Sequence, residues 1–136
     1  MIYLPPDMEL WLTAWLRRRL DGVRVTNKEP SDVTTPLTKP LVVIRDDGGP
    51  QLDMRTFNRS LGVTILAGSK TNDRPANDLA RLVYAHLTSP NIIDDTTSPI
   101  CDITETGCHG PYAVVDDHDY ARRYLTVEYT VVGVIQ

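Results

Sequence analysis

Several residue types that would announce a function are scarce in this chain, and each scarcity excludes something. Two cysteines among 136 residues cannot build a disulfide framework, which agrees with a reducing compartment. Basic residues are outnumbered, with 14 Lys and Arg against 18 Asp and Glu, a net charge of −4, and one basic run, Arg17 to Arg19. That balance argues against a protein that grips nucleic-acid phosphates, because counterion release needs a dense basic face. No apolar run approaches the roughly 20 residues that span a bilayer, and the first residues lack the basic-then-apolar layout of a secretory signal. The expectation is a soluble, non-exported protein. Repeats and low-complexity tracts are absent, and the length suits one domain, residues 1–136, with a modest core.

What is present reads as alternating helices and strands. In "PPDMELWLTAWLRRRLDG", Met8, Trp11, Leu12, Trp15, Leu16 and Leu20 recur at helical spacing, which predicts an amphipathic helix from about Pro6 to Asp21. Its late arginines complement the helix dipole and read as a solvated helix end. A short strand is expected at Val23 to Thr26, followed by a proline-bounded loop or arm up to Pro40. "LVVIR" from Leu41 is continuously apolar and β-branched, as a strand covered on both faces would be. "LGVTILAG" sets Leu61, Val63, Ile65 and Ala67 on one face of a second strand. A second helix is expected from about Asn72, with Pro75 in its first turn and Leu79, Leu82, Val83 and Leu87 on one side. His86, at the edge of that stripe, reads as a partly buried structural histidine.

The stretch "CDITETGCHGPYAVVDDHDYARRY" holds two Cys, two His and four Asp in residues 101–124 and raises the question of a metal. Ile100 to Thr106 and Tyr112 to Val115 read as a hairpin turning at "GCHGP". Cys101 and Cys108 would then lie roughly 20 Å apart along extended chain, outside disulfide reach. Folding such a hairpin would return Cys101 near Asp117 and His118, a possible zinc set, but no paired-ligand spacing supports it. The preferred reading of "DDHDYA" is a solvated turn. Neither a phosphate loop nor a nucleophile elbow is present, so no catalytic, cofactor-binding or metal residue is assigned.

"RRYLTVEYTVVGV" alternates Leu125, Val127, Tyr129 and Val131 against Tyr124, Thr126, Glu128 and Thr130, the clearest strand in the chain. The expected fold class is therefore α+β: one mixed or antiparallel sheet flanked by two helices. The connection "QLDMRTFNRS", residues 51–60, carries Arg55, Phe57 and Arg59, residue types enriched at interface hot spots, and is read as a protein interface. Phe57 is also in phase with Leu61, Val63 and Ile65, so the strand could begin earlier and Phe57 could be core.

The succession "ELWLTAWLRRRL", "KPLVVIRDDGG", "LGVTILAGSKTNDRPANDLARLVYAHL" and "GPYAVVDDHDYARRYLTVEYTVVG" resembles the tail terminator, or tail-completion, proteins of long-tailed bacteriophages, especially those infecting actinobacteria. The resemblance covers nearly the full chain and is one of layout and local phrases; other phage neck and head–tail joining proteins are similar in size. It implies a structural virion protein, assembled in the host cytoplasm, whose homo-oligomeric ring, commonly a hexamer, caps the tail tube, ends its polymerisation and offers the head-docking surface. The implied partners are the tail-tube protein and the head–tail connector, with DNA passing through the lumen without specific binding and no membrane. No cofactor and no catalysis are implied. The rival readings are another phage neck or head–tail joining protein, a monomeric binding module, and a metal-dependent hydrolase using Cys101, Asp117 and His118.

Overall fold

A computed structural model describes residues 1–31, 33 and 37–136; the remainder of the proline-bounded segment, 32 and 34–36, lies outside the described residues. The element order is β1 (Tyr3–Leu4), α1 (Met8–Arg17), β2 (Arg24–Thr26), β3 (Leu41–Asp46), β4 (Thr56–Ala67), α2 (Arg74–Leu87), α3 (Asn91–Asp94), β5 (Ile100–Ile103), a 3-10 turn (Glu105–Gly107), β6 (His109–Val114), β7 (Ala121–Val132) and β8 (Val134–Ile135). The main sheet runs β2-β3-β4-β7-β5, with β6 also on β7, and is antiparallel except for the parallel β2–β3 pair. A separate ribbon joins β1 to β8. The architecture is the α+β class expected, with α3 as a third, one-turn helix.

Helix α1 begins where Asp7 accepts a hydrogen bond from the Leu10 amide, satisfying one of the free donors of the first turn. It buries Met8, Leu12, Trp15 and Leu16 against the sheet, and its arginines remain exposed. Arg17 donates to the Val25 carbonyl, and Arg19 lies 3.7 Å over the Trp15 ring. His86, partly buried as expected, meets Trp15 edge-on, and burial first, then the Arg19 charge, lowers its pKa.

Helix α2 is rotated from the expected stripe. Ala76, Ala80, Val83 and Leu87 face inward, Leu79 flanks the core, and Leu82 is exposed. Two alanines on the buried line leave little side chain between helix and sheet, so packing selects the line with alanines over the one with more leucine.

The core lies between the helices and one sheet face, where Val42, Ile44, Leu61, Val63, Ile65, Leu125, Val127, Tyr129 and Val131 all belong to one buried cluster. The pairing Leu61↔Val127 and Val63↔Leu125 places the two predicted alternating faces side by side. Tyr129 donates its hydroxyl to the Leu87 carbonyl at 2.6 Å, tying β7 to the end of α2. On the opposite face, Val33 and Leu37 cover Leu41, Val43, Leu66 and Tyr120, which explains why β3 is apolar at every one of its first four positions.

The expected hairpin at residues 100–115 is not formed. β5 and β6 both lie along one edge of β7, from Ile100↔Val131 to Val114↔Arg122, with the 3-10 turn as an interruption between them. Pairing with the long β7 gives both short segments a partner. Gly107 permits the interruption: a Cβ there would fall 2.6 Å from the Glu128 Cβ.

Candidate interaction surface

Residues 51–60 are not one connecting loop. The turn closes at Asp53, whose carboxylate accepts hydrogen bonds from the Arg55 and Thr56 amides at 2.8 Å each; those bonds hold its pKa below the usual carboxylate value. Strand β4 then starts at Thr56, several residues before the expected one. Phe57 pairs with Val131 in register, is 5% exposed and joins the main core, so its reading as an interface anchor is corrected. The strand period decides this, because Phe57 shares the parity of Leu61 and Val63. Arg59 is also engaged within the chain. It donates to the Gly49 and Asn58 carbonyls and lies 4.0 Å from Asp46, which shares its sheet face. Arg55 alone of the three is exposed; its guanidinium lies 5.8 Å from the Tyr3 ring.

Around Arg55 gathers a surface that sequence reasoning missed. Register pairs Leu4 with Val134 and Tyr3 with Ile135. The Gly133 amide donates to the Arg55 carbonyl, and Val132 pairs with Thr56. The ribbon, the Asp53 turn and the end of β7 thus meet at one end of the sheet. There Ile2, Leu4, Leu52, Met54, Val132, Val134 and Ile135 are all between 41% and 75% exposed. A cleft of about 390 Å³ beside Met54 and Arg55 opens on the same end. The run "VVGVI" was the available signal. It read as the tail of the last strand because nothing in it says that Gly133 ends one sheet and starts another.

The other end of β7 carries the acidic turn. Asp116 accepts from the His118 amide at 2.9 Å, from its ring nitrogen at 2.7 Å and from Arg122 Nε at 2.6 Å. Arg122 also makes a two-pronged contact with Glu29, so one guanidinium ties the turn to the arm after β2. Burial works against the Asp116 charge, yet these hydrogen bonds and the Arg122 charge outweigh it and hold the carboxyl far below its ordinary value. Just beyond lie Tyr112, Val114 and Val115, exposed by 47%, 39% and 95% on and after the edge strand β6.

This arrangement corrects the possible zinc set. Cys101 sits by Thr130 at one end of β7, while Asp117 and His118 follow the Val114↔Arg122 pair at the other, roughly 30 Å away at the rise of a strand. Among the described residues no group of three metal-ligating side chains converges. Both cysteines are free, and burial raises the pKa of each thiol.

The sheet face away from the helices is polar around Gly62. Arg45 bonds Asp47 and the Tyr124 hydroxyl directly above that glycine, and a Cβ at Gly62 would collide with the hydroxyl. Gly62→Val is expected to displace this cluster at a cost of about 1–3 kcal/mol, read from the urea midpoint. A cleft of about 340 Å³ between Glu29, Arg45, Thr64 and Arg122 opens beside it, with both arginines already paired.

No protein-family model matches the chain, and no curated protein matches it. Among the described residues no helix is long and apolar enough to cross a membrane.

Proposed function

We propose that the chain is a phage tail terminator: a structural, non-catalytic subunit that closes as a homo-oligomeric ring, six-membered by the symmetry of the tube it caps, and stops tube growth while offering a head-docking surface. The observation that carries the reading beyond the sequence resemblance is the apolar end of the sheet. Seven large apolar side chains there are between 41% and 75% exposed, and apolar residues gathered at the surface in this way mark contacts with other proteins. Such a surface suits a subunit that works in contact with others. The net negative charge also suits a ring through which DNA slides, since like charge keeps the duplex from sticking.

Electron microscopy of tail tubes assembled with and without the protein tests this. Tubes of fixed length carrying one terminal ring only when the protein is present are expected. Unlimited tubes with no terminal density would remove the proposal, and density confined to the head vertex would make the chain a head–tail joining protein instead.

A further inference from the structure

We propose that the contact between the last turn of α1 and helix α2, made through Trp15, Arg19 and His86, is an acid-sensitive joint that loosens when His86 takes up a proton. The joint belongs to the subunit itself and does not rest on the terminator reading.

Helix α1 lies on β2 and β3 and helix α2 on β4 and β7, and ring side chains bridge the space between them. Trp15 is fully buried. It carries the Arg19 guanidinium 3.7 Å over its ring, stacks on Trp11 at 6.1 Å and meets His86 edge-on at 6.2 Å. This bridge suits a neutral imidazole. A proton on His86 sets a second cation beside the guanidinium in a partly buried place, where like charges are poorly screened.

The surrounding groups do not offset that charge. On α2 itself Tyr84 faces the cleft it shares with Glu105 and Cys108, on another side of the helix. Beyond α3, the Asp95 carboxylate lies 3.9 Å from Arg18 and accepts from Thr97. The sheet beneath the helices is apolar apart from Tyr129, whose hydroxyl is spent on the Leu87 carbonyl. Burial first, and the Arg19 charge second, therefore hold the histidine below its ordinary pKa, with no carboxylate to reverse them.

A second observation bears on how readily the joint opens. The buried indole N–H of Trp15 has no hydrogen-bond partner among the described residues. Such a donor is costly to keep dry, and opening would give it water. Met8 and Leu12 hold the rest of α1 in the core, so the movement is confined to the last turn. The sign follows from the depressed pKa of His86: the closed joint has full strength above the ordinary histidine value of about 6.5 and weakens as pH falls through the folded value.

The two tryptophans of the chain, Trp11 and Trp15, both belong to the joint, so indole emission reports its state. In the parent, titrated from about pH 8 to about pH 5, emission is expected to move to the red as water reaches Trp15, with a midpoint below that of a free histidine. Over the same interval the amides of the last turn of α1 are expected to exchange about tenfold faster relative to their intrinsic rates. His86→Gln and His86→Phe, neutral at every pH, are expected to abolish both changes. Arg19→Gln, which removes the like charge, is expected to move the midpoint up toward the ordinary histidine value. Parent emission that does not titrate, or a titration that survives in both His86 variants, overturns the inference. So does a fall in intensity with neither red shift nor faster exchange, which would be quenching by an imidazolium in a closed joint. A midpoint that Arg19→Gln leaves in place overturns it as well.

Discussion

Phe57→Ala is expected to destabilise the isolated subunit by about 3–5 kcal/mol, the cost of removing a buried aromatic ring and leaving a cavity. For a chain of this length that corresponds to a fall in melting temperature of roughly 10–20 °C. The ring is 5% exposed, pairs with Val131 across the sheet and approaches Gly133, where a Cβ would lie 3.0 Å from the Phe57 ring. Gly133 is the point at which the chain leaves β7 for the ribbon, so the cavity would open where the ribbon is held to the main sheet. Phe57→Leu, which keeps much of the volume, is expected to cost under about 1.5 kcal/mol. A melting temperature unchanged in Phe57→Ala, with ring assembly impaired, would return Phe57 to the interface.

Arg122→Ala is expected to cost about 2–4 kcal/mol. The side chain is 20% exposed and holds Glu29 on one side and Asp116, itself 9% exposed, on the other. Removing the guanidinium strands the Asp116 carboxylate without its cation, and breaking a buried pair at one partner costs about 3–5 kcal/mol, less where water reaches. The effect depends on pH with a definite sign. The folded pKa of Asp116 is depressed, so its contribution is fully present above the ordinary carboxylate range and is lost as pH falls below that range toward the folded value. The stability difference between the parent and Asp116→Asn is therefore expected to be constant from pH 7 down to about pH 5 and to shrink below it. Urea midpoints at pH 7 and pH 3 check both statements. An Arg122→Ala protein as stable as the parent would mean that the ion pairs merely decorate the surface.

The arm that Glu29 anchors also shows how far a reading of local sequence reaches. Its prolines announced an irregular segment, and they do not say where such a segment lies. That Val33 and Leu37 cover the second face of β3 follows from the sheet, which exposes Leu41, Val43 and Leu66 to whatever can close over them. The same holds for the candidate site. Arg55, Phe57 and Arg59 stood out by residue type, yet parity along β4 sent Phe57 inward and Asp46 engaged Arg59, leaving Arg55 beside an apolar surface built from residues far apart in the chain.

By itself the sequence determined the elements whose evidence is a local period. The helical spacing of Met8, Leu12, Trp15 and Leu16, and the alternation at Leu61, Val63 and Ile65 and at Leu125, Val127 and Tyr129, each require only that neighbouring residues share one buried face, and all are buried as the pattern demands. Tertiary structure alone decided which segments pair. A weakly alternating stretch such as residues 100–114 has a partner only once β7 offers a free edge. The cysteines and the Asp–His turn were separated by that choice, and the apolar end was assembled by the β1–β8 pairing. Pairing is a contest between edges distant in sequence, decided by hydrogen-bond register and by which faces the core leaves open, and no local window of residues contains that information.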